Sequence, residues 1–444
     1  MAVALARPGG AEWAARVPGG QSGRTRAAGG ITLGVEEEFV LLDPCSGAVS
    51  LAAPDLLRML DGEPGVQQEL MRFQIEIATP VCTGLDDVGR ELARLRRLAA
   101  DAAVRLGCRL VASGTAPYRT PGLAAVTDQP RYRELARRYG ALVADAGTCS
   151  CHVHVGVPSR DLGVQVLARL RPWLAPLLAI TVNSPIADGH DTAWASWRYP
   201  LWSRWPTAAP PTVWPDAAAY DATIRGLIAR GAALDERAVY ILARLSPRYP
   251  TVEVRVADVC LDTSTAVLLA GLTRALVATT LAEARRGVAL AAAPAPWVQA
   301  GLAAAARHGL TGPGVDPFTG QTADARSLRS RLLDHVHPAL SDRGDTEHIT
   351  GLLRRLDEEG TGADRQRALF AAARSAPAFT EALARATLPG GEPACSRQPD
   401  AGSGRRSSST VLPGRTASIG VSDLSQHDCV DLDAGDTPRQ RLSG

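Results

Sequence analysis

The chain has 444 residues, 45% of them hydrophobic and 21% charged, and a formal net charge of +2. That is the balance of a soluble globular protein with one large or two ordinary domains, and it gives no reason to invoke nucleic acid or an anionic membrane. All 48 basic residues are arginine, which excludes a P-loop lysine, a pyridoxal Schiff base and the kinase strand lysine together.

Residues 1–30 are rich in Gly, Ala and Arg without periodicity and read as a disordered lead-in. The first predicted strand, Ile31–Leu42, includes Leu-Gly-Val-Glu-Glu-Glu-Phe-Val-Leu-Leu from Leu33 onward. Strand alternation places Glu36 and Glu38 on one face. Two carboxylates side by side in a buried strand repel each other and are costly to desolvate. A divalent cation removes both problems, and Mg²⁺ or Mn²⁺ prefers oxygen ligands. An exposed edge strand with solvated glutamates is the alternative, against which the apolar flanks argue. In the second strand, Met71–Ala78, Gln74 and Glu76 share a face, a pattern that a half-exposed strand explains equally well. Asp86–Leu106 is predicted as an amphipathic helix, with Val88, Leu92, Leu95 and Ala99 at helical spacing and Thr83/Asp86 as a start resembling a capping box. A strand at Arg109–Ser113 and a helix at Pro130–Ala146 follow.

Strand Ser150–Val157 carries His152 and His154 on one face. Such a pair can share a metal, or one ring can bind metal while the other donates to an anion. No second ligand pair completes a zinc site with Cys149 and Cys151, which read as small core residues. A zinc hydrolase of the amidohydrolase type would need further strand-end ligands, whereas His190, His308, His335, His337 and His348 fall in loop or helical contexts. Val164–Val182 is apolar, but Arg169, Arg171, Pro172 and Pro176 make it a buried helix pair rather than a membrane span. The eight cysteines form no Cys-x-x-Cys and no secretory signal is seen, so a reducing cytoplasm is expected.

The loop from Asn183-Ser184-Pro185 through Asp188, Asp191, Trp194, Trp197, Arg198, Trp202, Arg204 and Trp205 combines aromatic walls with arginine forks. That suits a small carboxylate or phosphate, and a loop pinned to the core by its tryptophans explains it as well. In strand Thr251–Ala257, Glu253 and Arg255 share a face. They form either an ion pair or, as favoured here, a cation ligand beside a phosphate or carboxylate clamp. A helix is predicted at Thr263–Arg286, and Trp297 to about Thr387 reads as almost wholly helical. From residue 389 to Gly444 the composition reads as a disordered tail, with Ser407–Thr410 a solvated linker rather than a phosphorylation site. Polar strands separated by irregular connections predict an α+β fold over 31–388, an antiparallel sheet covered by helices.

In order, the chain presents an acidic strand, a Gln-x-Glu strand, a His-x-His strand, a Trp/Arg loop and a Glu-x-Arg strand. Through segments Thr32–Pro44, Gln74–Cys82, Cys149–Val157, Asn183–Pro211 and Ser246–Asp262 it resembles the carboxylate–amine ligases labelled glutamate–cysteine ligase type 2 (the YbdK type). That family is similar to glutamine synthetase, so the resemblance implies a metal-lined active-site funnel. It implies Glu36, Glu38, Glu76, His152 and Glu253 as ligands of Mg²⁺ or Mn²⁺, and His154, Arg255 and Arg204 as contacts to ATP. Arg198 would join His154 and Arg255 in catalysis. The implied reaction phosphorylates a carboxylate with ATP, and an amine then displaces the phosphate, nominally joining L-glutamate to L-cysteine. The implied partners are small molecules, with a homo-oligomer left open. A metal-dependent hydrolase or a nucleotide-binding protein without turnover are the alternatives. The chain departs from the family pattern at Ile186 and Ala187, where bulky aromatics are usual, and at Ser150, where glycine is usual.

Overall fold

The computed structural model describes residues 31–388, so the segments expected to be disordered, 1–30 and 389–444, lie outside the described residues. In chain order the strands are β1 (Leu33–Leu42), β2 (Val66–Gln68), β3 (Gln74–Ala78), β4 (Arg109–Val111), β5 (Ser150–Gly156), β6 (Ile186–Ala187), β7 (His190–Asp191), β8 (Ala243–Leu245), β9 (Thr251–Asp258), β10 (Pro313–Val315) and β11 (Thr322–Asp324). The helices are α1 (Ala53–Met59), α2 (Leu85–Arg105), α3 (Pro130–Tyr139), α4 (Ala141–Ala144), α5 (Arg160–Leu170), α6 (Leu174–Thr181), α7 (Arg198–Trp202), α8 (Ala217–Ala229), α9 (Thr263–Arg285), α10 (Ala295–His308), α11 (Ala325–Ser341), α12 (Thr346–Glu359), α13 (Gly362–Ala372) and α14 (Ala376–Thr387). Seven strands form one antiparallel sheet in the order β2-β3-β1-β5-β9-β8, with β4 also on β1. The architecture is the α+β arrangement expected.

Alternation divides the sheet into two chemically distinct faces. Leu33, Val35, Phe39 and Leu41 of β1 line up with Ile75 and Ile77 of β3, Val153 and Val155 of β5, and Val252 and Val254 of β9, all buried. Each such side chain contributes about 1.5–3 kcal/mol on burial. Helices α2 and α5 both pack against α9, which has most of its residues buried. At Gly271 of α9 an added Cβ would lie 2.5 Å from Ile349 and 3.0 Å from Leu85, so α2 and α12 approach more closely than a side chain would permit. Among the described residues α9 is the one helix long and apolar enough to cross a membrane, but 78% of its apolar window is buried inside the protein.

One charge sits on the apolar face. Glu37 is fully buried and is answered by Arg96 of α2, which donates to its two carboxylate oxygens at 2.9 and 2.6 Å. Arg96 also donates to the carbonyls of Cys260, Leu261 and Thr387 at 2.8, 3.2 and 2.8 Å.

The structure corrects several expected boundaries. The helix expected over Pro130–Ala146 breaks at Gly140, whose φ of +43° ends α3 and starts α4. The start of α2 lies at Gly84, whose N–H donates to Asp87 at 3.3 Å, one residue after the Thr83/Asp86 pair. Met71 bridges Val126 and so stays outside β3. Hairpin β10–β11 interrupts the stretch read as almost wholly helical, because Pro317 and Gly320 favour a turn there. The segment Val164–Val182 does form the expected buried pair, α5 and α6.

Candidate active site

The polar face of the sheet is assembled by strand register. Glu36 stands opposite His152, Glu38 opposite Glu76, and Glu253 opposite both His154 and Arg244. A register irregularity between Cys151 and Val153 sets β5 against β9 at the level of His152, the kind of local kink that re-aims a side chain. Five strands therefore bring their polar residues onto one surface.

Glu36, His154 and Glu253 can each offer a ligand atom such that all three lie within 4.8 Å of one another. Glu36 lies between two imidazoles, with Oε1 3.4 Å from His154 Nε2 and Oε2 3.4 Å from His152 Nδ1. The Thr251 hydroxyl stands 3.0 Å from His154 Nδ1, and His154 Nε2 is buried without a hydrogen bond. Ser150 sits between Glu38 and His152. Its N–H and hydroxyl lie 2.7 and 2.8 Å from Glu38 Oε2, and its Oγ lies 2.7 Å from His152 Nε2. Glu253 is held from both sides, by Arg255 and by a two-pronged bond from Arg244 at 2.9 and 3.2 Å.

Carboxylates outnumber guanidinium groups on this face, and the protonation equilibria show it. Burial and the charge of Glu38 push the Glu69 carboxyl up to about 7. Burial, with Glu36, Glu69 and Glu38 nearby, holds Glu76 well above the ordinary carboxylate range. Burial would also raise Glu36 and Glu253, but His152 and His154 pull the first down and Arg244 and Arg255 the second. Burial would depress His154, yet Glu36 and Glu253 hold it above the usual imidazole value. A surplus of negative charge, an imidazole nitrogen with no hydrogen bond and a carboxylate–imidazole–carboxylate donor set fit a divalent cation such as Mg²⁺ or Mn²⁺.

Of the residues singled out in the sequence, Glu36, Glu38, Glu76, His152, His154, Glu253 and Arg255 share this face. Arg198 is tied to the backbone of β9. It is buried, donates to the carbonyls of Val256 and Arg255 at 3.2 Å each, and stacks on Trp202, which Arg255 also overlies. Arg204 is paired with Asp145 at 2.7 Å on an exposed surface, so the structure does not bring it to the group. The tryptophans serve packing, since Trp202 and Trp205 both meet Tyr240 and Trp205 also meets Tyr139. Ile186 is fully buried. Cys149 and Cys151 are fully buried core thiols, as expected.

Sequence reasoning passed over Arg244, Glu69 and Asp258. Arg244 had a signal, a lone charge within the apolar run Tyr-Ile-Leu-Ala-Arg-Leu. Glu69 had none, standing in a polar stretch. Asp258 is fully buried and collects the Asn183 N–H and the hydroxyls of Ser184 and Ser196 at 2.9, 2.7 and 2.8 Å, which ties the Asn-Ser-Pro loop to the end of β9.

The profile of the family described as glutamate-cysteine ligase family 2 (GCS2) matches residues 32–389. The chain belongs to that family. A GCS2 relative from Salinispora arenicola (strain CNS-205), named "Putative glutamate--cysteine ligase 2", is 45% identical over 77% of this chain and 90% of its own length. Another of that type, from Mycobacterium sp. (strain KMS), is 42% identical over 80% of this chain and 98% of its own. Among solved structures, a glutamate–cysteine ligase of Francisella tularensis in complex with AMP superposes with a TM-score of 0.61 at 14% identity, over 80% of this chain and 88% of that one. A bifunctional glutathione synthetase of Pasteurella multocida gives 0.58 at 15% identity, over 80% of this chain and 52% of that one. At such low identity these two establish the fold alone. Membership of GCS2 makes the chain an ATP-dependent ligase, and the hydrolase alternative falls with it.

Proposed function

We propose that this protein joins a carboxylate, nominally L-glutamate, to an amine, nominally L-cysteine, through an acyl phosphate formed from ATP. The observation that carries the reading is the Glu36–His154–Glu253 donor set beside Arg255. A carboxylate is a poor electrophile, and transfer of the γ-phosphoryl group gives it a leaving group that the amine displaces. A divalent cation, when bound, neutralises the triphosphate and the transferring phosphoryl group. Glu36, His154 and Glu253 would hold it, with Glu38, Glu76 and His152 completing the acidic surface.

The residues of the chain have separable tasks. Arg255 presents a planar fork to a phosphate or carboxylate oxygen, and its buried Nε has no hydrogen-bond partner among the described residues. Arg244 carries Glu253. Arg198 supports β9 through its carbonyls. Because its carbonyl contacts and the Trp202 ring occupy it, we assign Arg198 to positioning and give Arg204 no part in nucleotide binding. Six unpaired cysteines among the described residues support a reducing cytoplasm. The names of the relatives support the glutamate and cysteine pair.

The test is ADP release by the purified protein with Mg²⁺ and ATP, with glutamate alone and then with a panel of amines including cysteine. Amine-stimulated ADP release with the matching amide by mass spectrometry is the expected outcome. ATP binding without ADP release from any pair would refute turnover and leave a nucleotide-binding protein.

A further inference from the structure

His152 and His154 face the same carboxylate through different ring nitrogens, and Ser150 explains the difference. The Ser150 hydroxyl has one proton to give. Glu38 Oε2 already accepts the Ser150 N–H at 2.7 Å, so it is an acceptor, and the hydroxyl lies 2.8 Å from the same oxygen. A bond to a carboxylate outcompetes one to a neutral imidazole nitrogen, so the hydroxyl proton goes to Glu38. The lone pairs of Oγ then face His152 Nε2 at 2.7 Å. That nitrogen must carry hydrogen, and in a neutral ring Nδ1 is left with its lone pair.

His152 Nδ1 points at Glu36 Oε2 from 3.4 Å, and His154 Nε2 stands 3.4 Å from Glu36 Oε1 with no hydrogen bond. The lone pair of His152 Nδ1 thus faces one oxygen of Glu36, and His154 Nε2 stands at the other. Resting on the reading that Glu36 is a cation ligand, we propose that Ser150 is a positioning residue. Through the chain His152 Nε2–H to Ser150 Oγ–H to Glu38 Oε2 it fixes His152 to present Nδ1 to the divalent cation at Glu36, while His154 presents Nε2. Outer hydrogen bonds that set an imidazole's tautomer govern metal affinity in this way, and their loss costs about 10- to 100-fold.

The experiment uses the full chain. Long-range ¹H–¹⁵N spectra of the metal-free wild type, assigned against His152→Asn, should show His152 protonated at Nε2 and bare at Nδ1. Mn²⁺ uptake, followed by electron paramagnetic resonance of free Mn²⁺, should weaken about 10- to 100-fold in Ser150→Ala, and Ser150→Thr, which keeps the hydroxyl, should restore it. Hydrogen on Nδ1 of His152 in the wild type overturns the inference. So does wild-type Mn²⁺ affinity in folded Ser150→Ala. Glu36→Gln separates the two levels: if it binds Mn²⁺ like the wild type, or if the wild type takes up none, the cation reading itself fails and the inference with it.

Discussion

Glu253 is gripped by two arginines that are not interchangeable. Arg244 spends one terminal nitrogen on the carbonyls of Val239, Glu236 and Arg237, at 2.8, 3.2 and 3.3 Å, and is a fixture of the scaffold. Arg255 retains an Nε with no partner and lies over Trp202. Replacing its fork by a point charge removes both stacking and two-pronged geometry. Arg255→Lys should lower kcat for ADP release about 100-fold, whereas a wild-type kcat would count against the clamp. Asp258→Ala should act on stability instead, because three donors lose their acceptor in a buried site. A loss of about 3 kcal/mol is expected in urea unfolding. At this scale the sequence made much of the site legible, because Glu36, His154 and Glu253 are charged or polar residues inside apolar strands. The departure at Ser150 was visible but its partners were not, and Asp258 drew no notice, since a serine or aspartate at the end of a strand is ordinary and only tertiary pairing shows what it holds.

The three consecutive glutamates of β1 show how an element is specified. A slip of one residue would send Glu37 to the polar face and Glu36 and Glu38 to the apolar one. Arg96 opposes that slip, because it answers Glu37 on the apolar face. Arg96→Met should destabilise the fold by about 3–5 kcal/mol by leaving Glu37 buried and unpaired, and Glu37→Leu in the same chain should recover most of it. Failure of the second change to recover thermal stability would show that the carbonyl contacts of Arg96 matter more than its charge pair. Helix α9 offers a pH test remote from the site. Burial would raise the Asp262 carboxyl, but Arg365, the Thr265 N–H and Arg355 outweigh it and hold it below the usual range. Its pairing therefore contributes stability above the unfolded value near 4 and loses it as pH falls through the lower folded value. Asp262→Asn keeps the cap but not the charge. It should cost about 1 kcal/mol at pH 7, and the gap from the wild type should close on acidification.

Across the whole molecule, the long strands and the amphipathic α2 were legible because their apolar periods run for many residues. Strands β2 and β8, three residues each, are too short to carry a period, and hairpin β10–β11 hides among helix formers. The described core ends with α14, where Phe379, Leu383 and Thr387 are buried and Thr387 supplies a carbonyl to Arg96. A chain of residues 31–388 should therefore keep its thermal midpoint and ADP release, while one ending at Arg374 should lose cooperative unfolding. Retention of activity by the shorter chain would remove α14 from the folding unit.

The brevity of β2 and β8 has a consequence for how copies of the protein meet. They are the outermost strands of a sheet that does not close into a barrel. An open sheet presents unpaired backbone groups at its margins, a template on which another chain can add a strand. Three residues offer too short a ladder for such growth, and at β8 the Tyr220 hydroxyl, 3.3 Å away, already takes the Leu245 N–H. The sheet thus ends at both margins without offering an edge for uncontrolled polymerisation.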